Sequence, residues 1–228
     1  MNNIYLNHSG GAIGADYYWD KIGQHYGIYT YVYSFHTHKI QLASRYINII
    51  QPNTNQIVHP PFPTSCRHIL QQPILNTADF YLQKINYYWE KRFGYQYKRH
   101  LPRDNLYVMN LLRKNWFQAL YSQEIFAIGR FLLPYYIVNG GTGWTIAMAR
   151  YLKNPIHFFD LETHQWYNYD YVKDKFVNSD IPILSVHFAG IGTRGDFIDD
   201  VFVFPTDGKQ AIRDVYEKTF QNEEKNNT

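Results

Sequence analysis

Ser9-Gly10-Gly11-Ala12-Ile13-Gly14-Ala15-Asp16 is the stretch on which the fold turns. It follows a short apolar run, residues 4–7, that predicts a buried strand. It leads into residues 15–25, which predict a helix with Tyr17, Tyr18, Trp19 and Ile22 as its apolar residues. Gly27 is placed to stop that helix, and the alternating, β-rich residues 29–35 predict a second strand. Strand, glycine turn, helix is an arrangement that exposes backbone N–H groups to a phosphate.

Two further stretches repeat the arrangement. Asn139-Gly140-Gly141-Thr142-Gly143-Trp144 follows an expected strand over residues 135–138 and precedes a helix over 144–152. Phe188-Ala189-Gly190-Ile191-Gly192-Thr193-Arg194 follows an expected strand over 183–187, with a closing helix over 209–220. Strands over 124–128 and 156–160, an edge strand over 166–169, and helices over 77–93 and 104–122 complete the pattern, with Asp104 opening the last of these. Alternating strands and helices predict an α/β, Rossmann-like sheet, mostly parallel, with helices on both faces. All three glycine stretches then sit at carboxyl ends of strands, where such sheets bind ligands. Residues 36–74 carry five prolines, Pro52, Pro60, Pro61, Pro63 and Pro73, which oppose regular structure. They predict a long loop with one short helix over 40–49, within an irregular and helical insertion over about 36–122 of a single domain.

Composition narrows the function. At 228 residues the chain can bury a sizeable core. A net charge of +3 is too slight to argue for nucleic acid, and the basic cluster Lys91, Arg92, Lys98, Arg99 and Arg103 suits a solvated face. Cys66 is the single cysteine, which excludes an intrachain disulfide and a thiolate zinc cluster. His36 and His38, two apart on a strand, would share a face but lack a third ligand; His59 and Cys66-Arg67-His68 are near only by proximity, so no metal is expected. No apolar run approaches the roughly 18 residues of a membrane span, and the first residues lack the pattern of a signal peptide. A reducing cytoplasm, the host's if the protein is viral, is the expected setting. The 22 tyrosines suit ligand walls and interfaces, or reflect AT-biased coding.

The glycine spacing is neither the dinucleotide fingerprint nor a P-loop. The first stretch resembles the "SGGAxGAD" motif of the SLOG superfamily. That Rossmann-like group contains the DNA-processing protein A family, the lonely-guy enzymes and nucleotide-sensing defence domains. Gly140-Gly141-Thr142-Gly143 resembles its "GGxGT" motif, and Ala189-Gly190-Ile191-Gly192-Thr193-Arg194 its "AGIGSR" segment. In many members the latter comes first, so the order here implies a circular permutation, with the closing helix beside the first strand and the termini close. The resemblance implies a pocket built from Ser9, Gly10, Gly11, Gly14, Asp16, Gly140, Gly141, Thr142, Gly143, Trp144, Gly190, Gly192, Thr193 and Arg194. Its ligand would be a nucleotide-derived small molecule, such as a cyclic nucleotide or an ADP-ribose-type signal. The glutamate of the lonely-guy motif is replaced by Ala147, which moves the expectation from catalysis toward binding. Asp16 is the remaining candidate acid or base, or else a helix cap. Trp144 is placed to stack on a base or to fill the core, and Arg194 to bind phosphate or to form a surface ion pair. The implied roles are a sensor, or a phage-type sponge that sequesters a defence signal. The alternative is a hydrolase cleaving an N-glycosidic or phosphate bond. No cofactor is expected, and the partners expected are the small molecule and further copies of the chain.

Overall fold

The computed structural model describes residues 4–54, 56, 65–94, 101–133, 136–138 and 140–226. β1 (Leu6–Ser9) leads through the first glycine turn into α1 (Ala15–Gly23). A 3-10 turn, Gln24–Tyr26, closes that helix, and Gly27 takes a left-handed φ of 69° before β2 (Tyr29–Ser34). β3 (Ile47–Ile50), β4 (Cys66–Ile69), α2 (Gln72–Asn76), α3 (Asp79–Phe93) and α4 (Leu106–Tyr121) follow. The cap of α4 is Asn105 rather than Asp104: its side chain accepts the Val108 N–H at 3.0 Å. Next come β5 (Glu124–Gly129), the small hairpin of β6 (Phe131–Leu132) and β7 (Ile137–Val138), and α5 (Gly140–Leu152). β8 (Ile156–Asp160), β9 (Gln165–Asp170), β10 (Lys175–Ser179) and β11 (His187–Gly192) lead to a second hairpin, β12 (Asp196–Ile198) and β13 (Val201–Val203). α6 (Thr206–Asn226) ends the described chain.

Nine of these strands form one sheet in the order β10-β9-β8-β5-β11-β1-β2-β4-β3. From β8 to β3 along that order every pairing is parallel, while β9 and β10 fold back antiparallel at one edge. Side chains on a strand alternate between faces, so each strand feeds two cores. On one face α1 and α6 pack with Trp19, Phe126, Phe188 and Tyr216. On the other, α4 and α5 pack with Trp116, Ala127, Ala189 and Ile191. The fold is therefore a three-layer α/β, Rossmann-like sandwich. From β1 the chain steps one way, to β2 and β4, and from β5 it steps the other way, to β8. β11 lies between β5 and β1, so the topological switch falls at the carboxyl ends of these three strands.

Four local expectations are corrected. Residues 40–49 form no helix, and the proline-bearing segment instead supplies β3 and β4, whose N–H groups pair along the sheet away from the prolines. The third glycine stretch is not a loop after a strand over 183–187; it is β11 itself. The second is the first turn of α5 rather than a loop before it. β7 begins at Ile137 and pairs with β6, outside the main sheet, and Tyr135 lies outside the described residues. α6 packs along α1, and its Phe220 ring meets Tyr5, beside β1, edge-on at 5.3 Å. No helix of the described residues is long and apolar enough to cross a membrane.

Candidate functional site

The carboxyl ends of β11 and β5 open into a cleft of about 740 Å³. A second cavity, between α3, α5 and the β9–β10 hairpin, is about 210 Å³. Ligand sites are commonly about 300–1,000 Å³, so the first is the one that admits a nucleotide-sized molecule.

Glycines position the walls. Gly14, at φ 89°, has no room for a side chain against the backbone of Thr193 and Arg194. The adjacent Ala15 N–H donates to the Thr193 carbonyl at 3.0 Å, so the third stretch caps the helix that follows the first. Gly11, at φ 66°, lies under Val32 and Ile40, and its carbonyl accepts the Gln41 N–H at 2.9 Å. Residues 36–44, where the sequence predicts loop and then the start of a short helix, thus strap the glycine turn down. Asp20 anchors the strap, accepting from the Ala43 and Ser44 N–H groups at 2.7 and 2.9 Å and from the Thr30 hydroxyl at 2.7 Å.

The first turn is largely self-satisfied. Ser9 Oγ accepts the Gly11 N–H at 3.0 Å, and Asp16 Oδ2 accepts the Ala12 N–H at 3.3 Å. The Gly10 and Gly192 N–H groups also bear on the Asp16 carboxylate. Asp16 therefore clasps the turn rather than capping α1, and these donors are not held out to a phosphate. The N-terminus of α5 differs. Helix geometry leaves the first N–H groups without intrahelical partners, and Gly141 and Thr142 line the cleft. A Cβ built on Gly141 would meet only Asn115 Nδ2, at 4.0 Å.

Lys114 and Gln118, on the inner face of α4, complete the floor. Both are buried; Lys114 Nζ donates to the Gly10 carbonyl at 2.8 Å and Gln118 Nε2 to the His8 carbonyl at 2.9 Å. A Cβ on Gly10 would stand 2.6 Å from Lys114 Nζ and 2.8 Å from Asp16 Oδ2, so a side chain there would displace both groups. Burial pushes the Asp16 carboxyl up to about 6, against the pull of Lys114 and the backbone donors. Burial likewise brings the Lys114 ammonium down to about 8, opposed by Asp16 and assisted by Arg194. Both are therefore charged between those values. The sequence predicts the α4 helix but not this role, although Asn110, Lys114 and Gln118 form a polar i, i+4, i+8 row along it.

Arg194 stands exposed at the rim, its guanidinium 5.6 Å from the Phe202 ring, and among the described residues it has no carboxylate partner. Arg130, on the rim after β5, is neutralised by Glu162 at 2.6 Å and Asp196 at 3.0 Å. Trp144 is buried within the α4–α5 core and borders the cleft from there. Gly190 packs under Trp19 on the far face, outside the cleft. Asn139, His59, Lys98 and Arg99 lie outside the described residues.

The histidines do not share a strand face, because β2 ends at Ser34: His36 is exposed and His38 is buried. Burial, with Lys114, Arg67 and Arg194 nearby, lowers His38 to about 2, so the imidazole is neutral. Cys66 and His68 lie buried in β4, while Arg67 ties Ser34 and the His38 carbonyl together. Among the described residues no three His, Cys, Asp or Glu side chains are grouped to hold a metal.

No family model matches the chain, and no characterised protein or solved structure matches it significantly.

Proposed function

We propose that this cleft binds a nucleotide-derived anion, with its phosphates against the N-terminus of α5 and Arg194. One observation carries the proposal. At the switch point of the sheet, Gly141 leaves open space that the described residues do not fill, beside helix N–H groups and an arginine without a carboxylate partner among those residues. Lys114 and Arg194 add positive potential, set against the Asp16 carboxylate on the floor. The motif resemblance to SLOG proteins, the strand order around β11 and the Tyr5–Phe220 contact favour a permuted SLOG-like domain. The roles that fit are a sensor or a sponge for a nucleotide signal, acting with or without self-assembly.

Thermal shift against a panel of mononucleotides, cyclic dinucleotides and ADP-ribose derivatives tests this. A stabilising ligand should be recovered intact after denaturation, and Arg194→Ala should weaken it roughly 10- to 150-fold, the order of 1.5–3 kcal/mol given to a charge-assisted bond. No shift with any member of the panel overturns the proposal.

The Asp16 carboxyl, near 6 on the cleft floor, favours a second reading: hydrolysis of an N-glycosidic or phosphate bond. Release of base or phosphate that vanishes in Asp16→Asn would establish it over binding.

A further inference from the structure

We infer that the β12–β13 hairpin is the platform for the planar ring of the ligand, with Phe202 as its stacking residue. This rests on the proposed nucleotide cleft and adds the part of the site that chooses the base. The pairing places Phe197 directly opposite Phe202, so both rings leave the same face of the hairpin. Their centroids are 5.1 Å apart at 56°, and they are 63% and 41% exposed. Phe202 lines the cleft together with Arg194, whose guanidinium lies 5.6 Å from its ring. An exposed aromatic surface therefore adjoins a phosphate-attracting rim, which is the chemistry of a nucleotide split into base and phosphate.

The hairpin is held in position rather than loose. Asp196 pairs with Arg130 at 3.0 Å, and Gly195, at φ 102°, lets the Val203 and Phe204 backbone pack directly against it. Asp199 and Asp200 take left-handed φ values of 47° and 63°, which a tight two-residue hairpin turn demands. Trp144, the aromatic residue that sequence favours for stacking, is 6% exposed and offers the cleft no open ring face. Arg194 is the natural bridge: its guanidinium lies beside the Phe202 ring and can reach a phosphate whose base lies on that ring.

The test compares ADP-ribose with ribose 5-phosphate, by calorimetry on the full chain. Phe202→Ala and Phe202→Leu should weaken ADP-ribose by roughly 5- to 150-fold, the span of base stacking on an aromatic residue. Ribose 5-phosphate affinity should change less than about twofold, and Phe202→Trp should retain or tighten ADP-ribose. Phe202→Leu keeps an apolar side chain without a ring, so it separates stacking from simple burial. If wild type binds neither probe nor any other member of the nucleotide panel, the nucleotide cleft and the platform fall together; if another nucleotide binds, the same substitutions are read with it. If wild type binds ADP-ribose and both substitutions leave that affinity intact, or weaken the two probes equally, the platform alone is overturned. Loss of self-association in Phe202→Ala with unchanged ADP-ribose affinity would assign the hairpin to contact between copies instead.

Discussion

Gly190 in β11 and Gly141 at the start of α5 belong to stretches that look alike in sequence, yet they answer different demands. A Cβ on Gly190 would fall well inside 3.0 Å of the Trp19 indole, which is fully buried against the strand. Among the described residues beyond its own helix turn, a Cβ on Gly141 would meet nothing nearer than Asn115 Nδ2 at 4.0 Å. The first glycine is required by the chain's own packing, as are Gly192 against Ala15 and the Ile128 backbone, and Gly14 against Thr193. The second is not, and the space beside it belongs to the cleft. Glycine content therefore marks two things in this protein: close approach of layers, and room for a ligand.

The largest effect should come from breaking the packed glycine. Gly190→Ala should cost about 3 kcal/mol or more, the upper range for overpacking a core, seen as a lowered urea midpoint. Adding Trp19→Leu should return part of that loss; an unchanged midpoint in the single variant would mean that the sheet and α1 are not so closely apposed.

Asp16 joins the first turn to Gly192 of β11, and its burial should appear in pH dependence. A carboxyl raised from 3.8 to about 6 binds more protons in the folded than in the unfolded state, so it destabilises the fold as pH climbs through that window. Asp16→Asn removes the effect. Its stability relative to wild type should increase by about 2–3 kcal/mol from pH 4 to 6, then level off. The loss of Lys114's counter-charge adds a constant offset there, because Lys114 stays protonated up to about 8. A flat difference between the two denaturation series would place Asp16 in contact with bulk water.

The smallest effect belongs to the open glycine. Gly141→Ala, inside a helix, should leave the fold as stable or add about 0.5–1 kcal/mol. The same methyl projects into the cleft, so nucleotide affinity should drop. A variant that loses stability and keeps its affinity would erase the contrast with Gly190.

Much of the scaffold was legible because its signals are local. β-rich runs ending in glycine, and apolar residues at helical spacing, announced β1, α1, β2, α4, β5, β8 and α6 within a few residues. The errors share a cause. β3 and β4 hide among prolines because pairing on the sheet supplies what local propensity denies. β11 absorbs its glycines because Trp19 and Ala15, far away in sequence, need the space. In the site, the first turn has the sequence of a phosphate cradle, yet Ser9 and Asp16 already occupy its donors. Lys114 went unread because its partner, Gly10, is 104 residues away. The β12–β13 hairpin went unread because its apolar residues look like any short strand until they are seen exposed beside a cleft.

The sequence by itself determined the alternation of strands and helices and the places where the chain must turn without a side chain. Those follow from backbone sterics and hydrophobic period, which act over a few residues. Only the tertiary structure decided which glycines serve packing and which leave a cavity, and that Asp16 faces Lys114 under the first turn. Only it set Phe202 beside Arg194 at the open rim. These depend on which layers meet across the sheet, and burial and charge act between residues wherever the chain brings them together.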